Sequence, residues 1–246
     1  MPPIHLSSPD NPRLKRVLRL RDSAERRESG LFVVEGRRAI EGMLECGLEC
    51  VELLSVLSEL PAAGLVPTAT VDERVMKRLS SLAHAPGLLA TFRIPAPAPI
   101  DRSAGGLVLA EVSDPGNVGT LLRCAGAFGF KQVVLCGGAD PYGPKVVQAA
   151  TGALGRVQLS SVSHPAELEG GAALCGLVVT HGVSPKALQA GPRWLIVGNE
   201  AHGLSADWLA ACTERLTLPM PGGTESLNAA VAGAIALYAL GPGRDA

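Results

Sequence analysis

A chain of 246 residues, 47% of them hydrophobic, has apolar material for one large domain or two smaller ones. Aromatics are only 3%, so the core must be Leu, Val, Ile and Ala; no stretch nears the roughly 18 continuous apolar residues of a membrane helix, and the first ten residues carry no signal core, which predicts a soluble, cytoplasmic protein. A formal net charge of −1 argues against non-specific coating of nucleic acid, and six scattered cysteines without metal-ligand spacing predict reduced thiols and no metal.

Residues 11–21 read as a helix, with Leu14, Val17, Leu18 and Arg21 at helical spacing. A short strand follows at 31–34, a helix at 37–45 stopped by Gly47, a strand at 51–57, a helix at 72–81 and a strand at 87–94. Together they predict a small N-terminal α/β domain over residues 1–95. The run Pro95-Ala96-Pro97-Ala98-Pro99 can neither continue a helix nor donate to a sheet ladder, so residues 96–105 read as a stiff linker. Beyond it, strands at 107–112, 131–136, 157–162, 177–180, 194–198 and 216–219 alternate with helices at 118–128, 144–153, 207–212 and 227–240. Several strands are apolar throughout, which predicts a mostly parallel sheet covered on both faces, over residues 106–246. The last helix is so apolar that it should be buried nearly all round, and one small sheet offers too little cover.

Charge is unevenly spread. Arg13, Lys15, Arg16, Arg19, Arg21, Arg26 and Arg27 lie close together, opposed by Asp22 and Glu25. The run is either a solvated helix face or a set of phosphate contacts.

In a parallel α/β sheet, ligands collect outside the carboxyl ends of the strands. Three loops there are unusual: Ser113-Asp114-Pro115-Gly116-Asn117-Val118-Gly119, opening a helix that carries Arg123; residues 198–205; and residues 219–228. The first is neither G-x-G-x-x-G nor a P-loop, which disfavours a dinucleotide or nucleotide-triphosphate site. Taken singly, each loop also reads as ordinary turn chemistry, with Asn117 and Asn228 as helix caps.

Together, in order and spacing, the three loops resemble the motifs of the SpoU (TrmH-like) branch of the SPOUT RNA methyltransferases. The first motif stands here as Asn117, Gly119 and Arg123, followed by Ala127, Phe128 and Gly129. The second is Gly198-Asn199-Glu200 with Gly203-Leu204-Ser205, and the third Pro219-Met220 and Gly222 with Ser226-Leu227-Asn228. Asn11-Pro12, Lys15, Gly30-Leu31-Phe32 and Glu35-Gly36-Arg37 resemble, less specifically, the substrate-binding domain ahead of that catalytic domain. Two departures are Cys124-Ala125-Gly126 after the motif arginine and Ala229-Ala230 after the third motif.

The resemblance implies a C-terminal trefoil knot that serves as the cofactor pocket, a homodimer through the SPOUT domain, and methyl transfer from S-adenosylmethionine to a ribose 2′-hydroxyl. The RNA expected is ribosomal RNA, with a transfer-RNA 2′-O-methyltransferase as the alternative. Arg123 becomes the expected catalytic residue, as base or as electrostatic stabiliser. Asn117 would orient the hydroxyl or the loop, Glu200 would position the arginine or a backbone amide, and Ser226 and Asn228 would contact the target nucleotide. The motif does not require His202. Gly198, Leu218 and Leu227 are the expected cofactor contacts, with Thr180, Asn199 and Met220 beside them. Arg13, Lys15, Arg16, Arg26, Arg27 and Arg37 are the expected RNA contacts. Two alternatives stay open: a non-catalytic RNA-binding module, and a Rossmann-type enzyme acting on a small molecule.

Overall fold

A computed structural model describes residues 3–8, 10–56 and 67–241. The chain forms two compact units, one of residues 1–96 with 140–155, the other of residues 97–139 with 156–246.

The first unit holds strands β1 (Ile4–Leu6), β2 (Leu31–Glu35), β3 (Cys50–Val56), β4 (Ala69–Val71) and β5 (Leu88–Arg93). Its helices are α1 (Pro12–Arg19), α2 (Ser23–Ser29), α3 (Arg37–Glu45) and α4 (Glu73–Leu79). The sheet order is β1-β4-β3-β5-β2, parallel from β1 to β3 and antiparallel across β5. The alternation of β3 puts Leu54 and Val56 on one face, where Leu14 and Val17 of α1 and Val75, Met76 and Leu79 of α4 close the core. Asn11 caps α1 by accepting from Arg13 N at 2.9 Å, with Pro12 in the first turn, where its missing N–H costs nothing. The strand expected to reach residue 57 ends at Val56 among the described residues; residue 57 lies outside them.

The second unit holds β6 (Gly106–Ala110), α5 (Pro115–Ala127), β7 (Gln132–Cys136), β8 (Gln158–Ser161), β9 (Ala173–Leu177), β10 (Arg193–Val197), α7 (Ala206–Ala211), β11 (Glu214–Leu216) and α8 (Ala229–Leu240). The sheet order is β11-β9-β10-β6-β7-β8, and every pairing is parallel. Fully buried β6 and β10 form the centre, as expected for strands covered on both faces. Trp194, wholly buried, satisfies its indole N–H on the Arg102 carbonyl at 3.2 Å.

Several elements differ from the sequence expectation. Helix α6 (Pro144–Ala150), assigned by the sequence to the C-terminal domain, packs on β2 and belongs to the first unit. Val146, Val147 and Ala150 are its buried face, and the rings of Phe32 and Tyr142 lie 5.1 Å apart. A Cβ on Gly42 of α3 would sit 3.4 Å from Gly152 Cα, so backbones meet there. The strand expected at 177–180 is β9, which ends at Leu177. Gly176 suggests a break but is needed within the strand, because a Cβ there would lie 2.8 Å from both Cys212 Sγ and Leu204 Cδ1. Likewise β11 lies ahead of the expected 216–219. Helix α5 starts three residues before its expected start, at Pro115, capped by Asp114, whose Oδ1 accepts from Asn117 N at 2.8 Å. Asn117 therefore lies inside the first turn, and its side chain is not the helix cap. Helix α8 is not buried all round: Ala230, Gly233, Ala236 and Leu237 face inward, whereas Val231, Ile235 and Tyr238 are exposed.

Among the described residues, no helix is long and apolar enough to cross a membrane, and no group of three or more His, Cys, Asp or Glu is placed to hold a metal.

Candidate functional site

Because β9, β10 and β6 run parallel, their carboxyl ends share one edge of the sheet. A pocket of about 370 Å³ opens there, lined by Leu177, Val178 and Val179 after β9, by residues 197–203 after β10, and by Leu218, Met220, Ser226, Leu227, Ala229 and Ala232. It lies in the size range of small-molecule sites.

The loop after β10 is held by its own backbone. Asn199 and Gly203 exchange N–H···O bonds of 3.0 and 2.9 Å, and Gly203 takes a left-handed φ of 69°. The Asn199 side chain accepts from Ala201 N at 2.9 Å and His202 N at 3.2 Å, and donates to the Glu111 carbonyl at 3.0 Å. Gly198 has no room for a side chain, since a Cβ would approach the Gly203 carbonyl carbon to 2.5 Å.

This loop aims Glu200 at the first loop. Its Oε2 accepts from Ser113 N at 3.1 Å and Ser113 Oγ at 2.9 Å; its Oε1 accepts from Asp114 N at 2.9 Å and Asn117 Nδ2 at 3.0 Å. Desolvation raises this carboxyl, but the hydrogen bonds from Asn117, Asp114 and Ser113 outweigh it and hold the pKa down at about 2. Asn117 Oδ1 in turn accepts from Asn228 Nδ2 at 3.0 Å, and Asn228 Oδ1 caps α8 by accepting from Ala230 N at 2.9 Å and Val231 N at 3.2 Å. The relay has fixed ends. A carboxylate can only accept and helix amides can only donate, so both intervening asparagines have one permitted amide orientation. Glu200, Asn117 and Asn228, one residue from each loop, are thus locked together.

Of the expected residues, Gly198, Asn199, Glu200, Leu218, Met220, Ser226 and Leu227 line the pocket. Thr180 does not; β9 ends three residues before it, and Val178 and Val179 take the wall instead. Arg123 is exposed on α5, without hydrogen bond or ion pair among the described residues, and lies outside the relay. Six residues of helix place it about 9 Å beyond Asn117 and a third of a turn round. Ser113 and Asp114 are the partners that sequence reasoning missed, because two of their three bonds to Glu200 come from backbone N–H groups.

The expected RNA contacts divide in the structure. Arg26 is buried: its Nη2 lies 2.6 Å from Asp140 and its Nη1 donates to the Leu20 and Arg21 carbonyls at 2.7 and 2.9 Å. That guanidinium closes α1 and is no surface cation. Arg13 and Arg16 hold the buried carboxylate of Glu52 at 2.7 and 3.3 Å. Lys15 pairs with Asp10 at 3.1 Å and Arg37 with Glu41 at 4.0 Å, whereas Arg27 is exposed.

The SpoU rRNA Methylase family matches residues 106–238, and the MRM3-like substrate binding domain matches residues 11–90. An uncharacterised tRNA/rRNA methyltransferase of Synechocystis is 31% identical over 95% of this chain and 92% of its own length. The 23S rRNA (guanosine(2553)-2′-O)-methyltransferase RlmP of Bacillus subtilis is 29% identical over 96% of this chain and 98% of its own. The crystal structure of the SpoU methyltransferase AviRb of Streptomyces viridochromogenes, in complex with AdoMet, superposes with a TM-score of 0.81 at 27% identity, covering 94% of this chain and 97% of that one. A match across residues 106–238, more than half the chain and spanning all three pocket loops, makes this protein a member of the SpoU rRNA methylase family.

Proposed function

We propose that this protein transfers a methyl group from S-adenosylmethionine to a ribose 2′-hydroxyl of ribosomal RNA, in the cytoplasm. The observation that carries this is the Glu200–Asn117–Asn228 relay, which ties the three motif loops together beside the pocket that Glu200 lines. The residues fit the cofactor. Leu177, Val178, Leu218 and Leu227 offer apolar walls for a flat heterocycle, and the tight turn at Gly198 leaves backbone polar groups, not side chains, at the rim. When bound, the sulfonium supplies an activated methyl group; the protein's task is to orient the hydroxyl and manage its proton.

Glu200 is not the base: it stays ionised and all its acceptor directions are filled. It positions the first loop. Arg123 keeps its charge in any protein environment, so its role is a two-pronged grip on the phosphate beside the target ribose, which also stabilises negative charge growing on the attacking oxygen. With no hydrogen bond or ion pair among the described residues, its whole fork is left for substrate. Ser226, exposed at the pocket rim, is placed for the target nucleotide.

Two further parts of this proposal are architectural. The segment carrying residues 217–228 returns to the first loop through Asn228, in keeping with a trefoil knot around the pocket. The exposed apolar stripe of Val231, Ile235 and Tyr238 on α8, with Leu227 just ahead of the helix, suits a second copy of the chain, giving a homodimer.

Mapping ribose methylation in total RNA from cells with and without the gene tests the reaction; loss of a ribosomal methylation is the expected result. Titration calorimetry tests the cofactor, with S-adenosylhomocysteine binding and NAD not. Absence of binding by either sulfur nucleoside would overturn the enzyme.

A further inference from the structure

Most positive charge between Arg13 and Arg27 is consumed inside the first unit. Arg13 and Arg16 neutralise Glu52, Arg26 neutralises Asp140, and Lys15 and Arg19 face Asp10 and Glu25 at 3.1 and 3.6 Å. A cationic surface that the sequence reading passed over stays free. On α4, Val75, Met76 and Leu79 turn inward, leaving Arg74, Lys77 and Arg78 exposed. At spacings of three and four residues these three share one side of the helix. None has a hydrogen bond or ion pair from its side chain among the described residues. Arg21 adds a fourth charge at the helix end, where its Nη2 donates to the carbonyls of Arg78, Leu79 and Ser80 at 3.0, 3.1 and 2.7 Å. These bonds also fix the end of α4. Of the acids around the array, Glu35 is held by the Ser80 and Ser81 hydroxyls, and Glu73 stands exposed in the first turn of α4.

We propose that the outward face of α4 (Arg74, Lys77 and Arg78, with Arg21 at its end) is the surface by which the first unit holds the sugar–phosphate backbone of RNA, an inference that rests on the RNA-modifying function proposed above. Charge complementarity selects the occupant. A row of unpaired cations matches a row of phosphates. A lipid surface would also call for apolar insertion, and among the described residues of this unit only Ile4 is a large exposed hydrophobic.

The test is a salt series of binding to deproteinised ribosomal RNA by the full chain and three variants. Arg74→Gln with Lys77→Gln and Arg78→Gln removes the charges and keeps helix propensity. At low salt it should bind about tenfold or more weakly, and the slope of log affinity against log salt should flatten by about 2, for two to three lost phosphate contacts. Its affinity for S-adenosylhomocysteine and its melting temperature should stay unchanged. Lys15→Gln with Arg27→Gln and Arg38→Gln removes as many charges from the same unit and should flatten the slope by less than half as much. Arg74→Lys with Arg78→Lys should keep the wild-type slope, since phosphates accept a point charge. Equal losses in the two glutamine triples, or a wild-type slope in the α4 triple, would refute the α4 surface while leaving the RNA function standing. A wild-type protein without salt-dependent RNA binding would refute both.

Discussion

At the residue scale, the pocket depends on groups with one permitted state. Glu200 meets four donors, two on each oxygen. In Glu200→Gln the amide nitrogen must face a backbone donor whichever way it turns, so at least one bond becomes a clash of donors. The expected cost is about 1 kcal/mol, discounted for exposure, with a larger fall in turnover as the first loop loosens. The pH dependence has a definite sign. The Glu200 carboxyl is held at about 2, against an ordinary 4.5, so its stabilisation is full above the unfolded value and fades as pH falls from 4.5 towards 2. The melting-temperature gap between wild type and Glu200→Gln should therefore be flat from about pH 8 to pH 5 and close below that. A gap that closed near neutrality would mean Glu200 is not held so low. In Gly198→Ala the added carbon would lie 2.5 Å from backbone with nowhere to go, and calorimetry should find S-adenosylhomocysteine binding abolished. The motif side chains of this site were legible in the sequence because their identities carry the chemistry. The amides of Ser113 and Asp114 were not, because a backbone donor leaves no mark on residue type.

At the element scale, legibility followed periodicity and length. Helix α1 and the apolar strands β6, β7 and β10 were legible from pattern. Strands β1 and β4 have three residues each, too few to display an alternation, and both passed for loop. Helix α2 was invisible because its one buried side chain is Arg26, and a guanidinium does not register as a core residue. Helix α8 is apolar on every side, so pattern could place it but not orient it. The structure orients it, leaving Val231, Ile235 and Tyr238 outward, the last ring 5.6 Å from that of Phe128. If that stripe meets a second copy, Val231→Glu with Ile235→Glu puts four carboxylates into one two-fold interface. Light scattering should then give a dimer mass for wild type and a monomer mass for the variant. A wild-type monomer at micromolar concentration would refute the homodimer.

At the scale of the whole molecule, the proline-rich stretch suggested two bodies in series, and the chain is not laid out that way. It leaves the first unit at residue 96, returns at 140 and leaves again after 155. No residue pattern marks the return, because α6 has the same apolar make-up whichever sheet it covers. A fragment of residues 97–246 should accordingly behave poorly, since Val146, Val147 and Ala150 lose the β2 surface they pack on. It is expected to aggregate or melt well below the full chain. A fragment in which 140–155 is replaced by a short Gly/Ser segment should recover solubility, and equal solubility of the two would count against α6 as part of the first unit. The same return governs the order of events at the ribosome. Domains generally fold as units, the N-terminal one first, as the chain emerges. Here the first sheet is complete once β5 has emerged, yet the helix that covers β2 is not translated until β6, α5 and β7 have been made. Nascent chains halted anywhere between residues 97 and 140 hold an N-terminal sheet with one side of β2 bare beside an unfinished second sheet. The earlier half of the protein has to wait for the later one, and the two mature together.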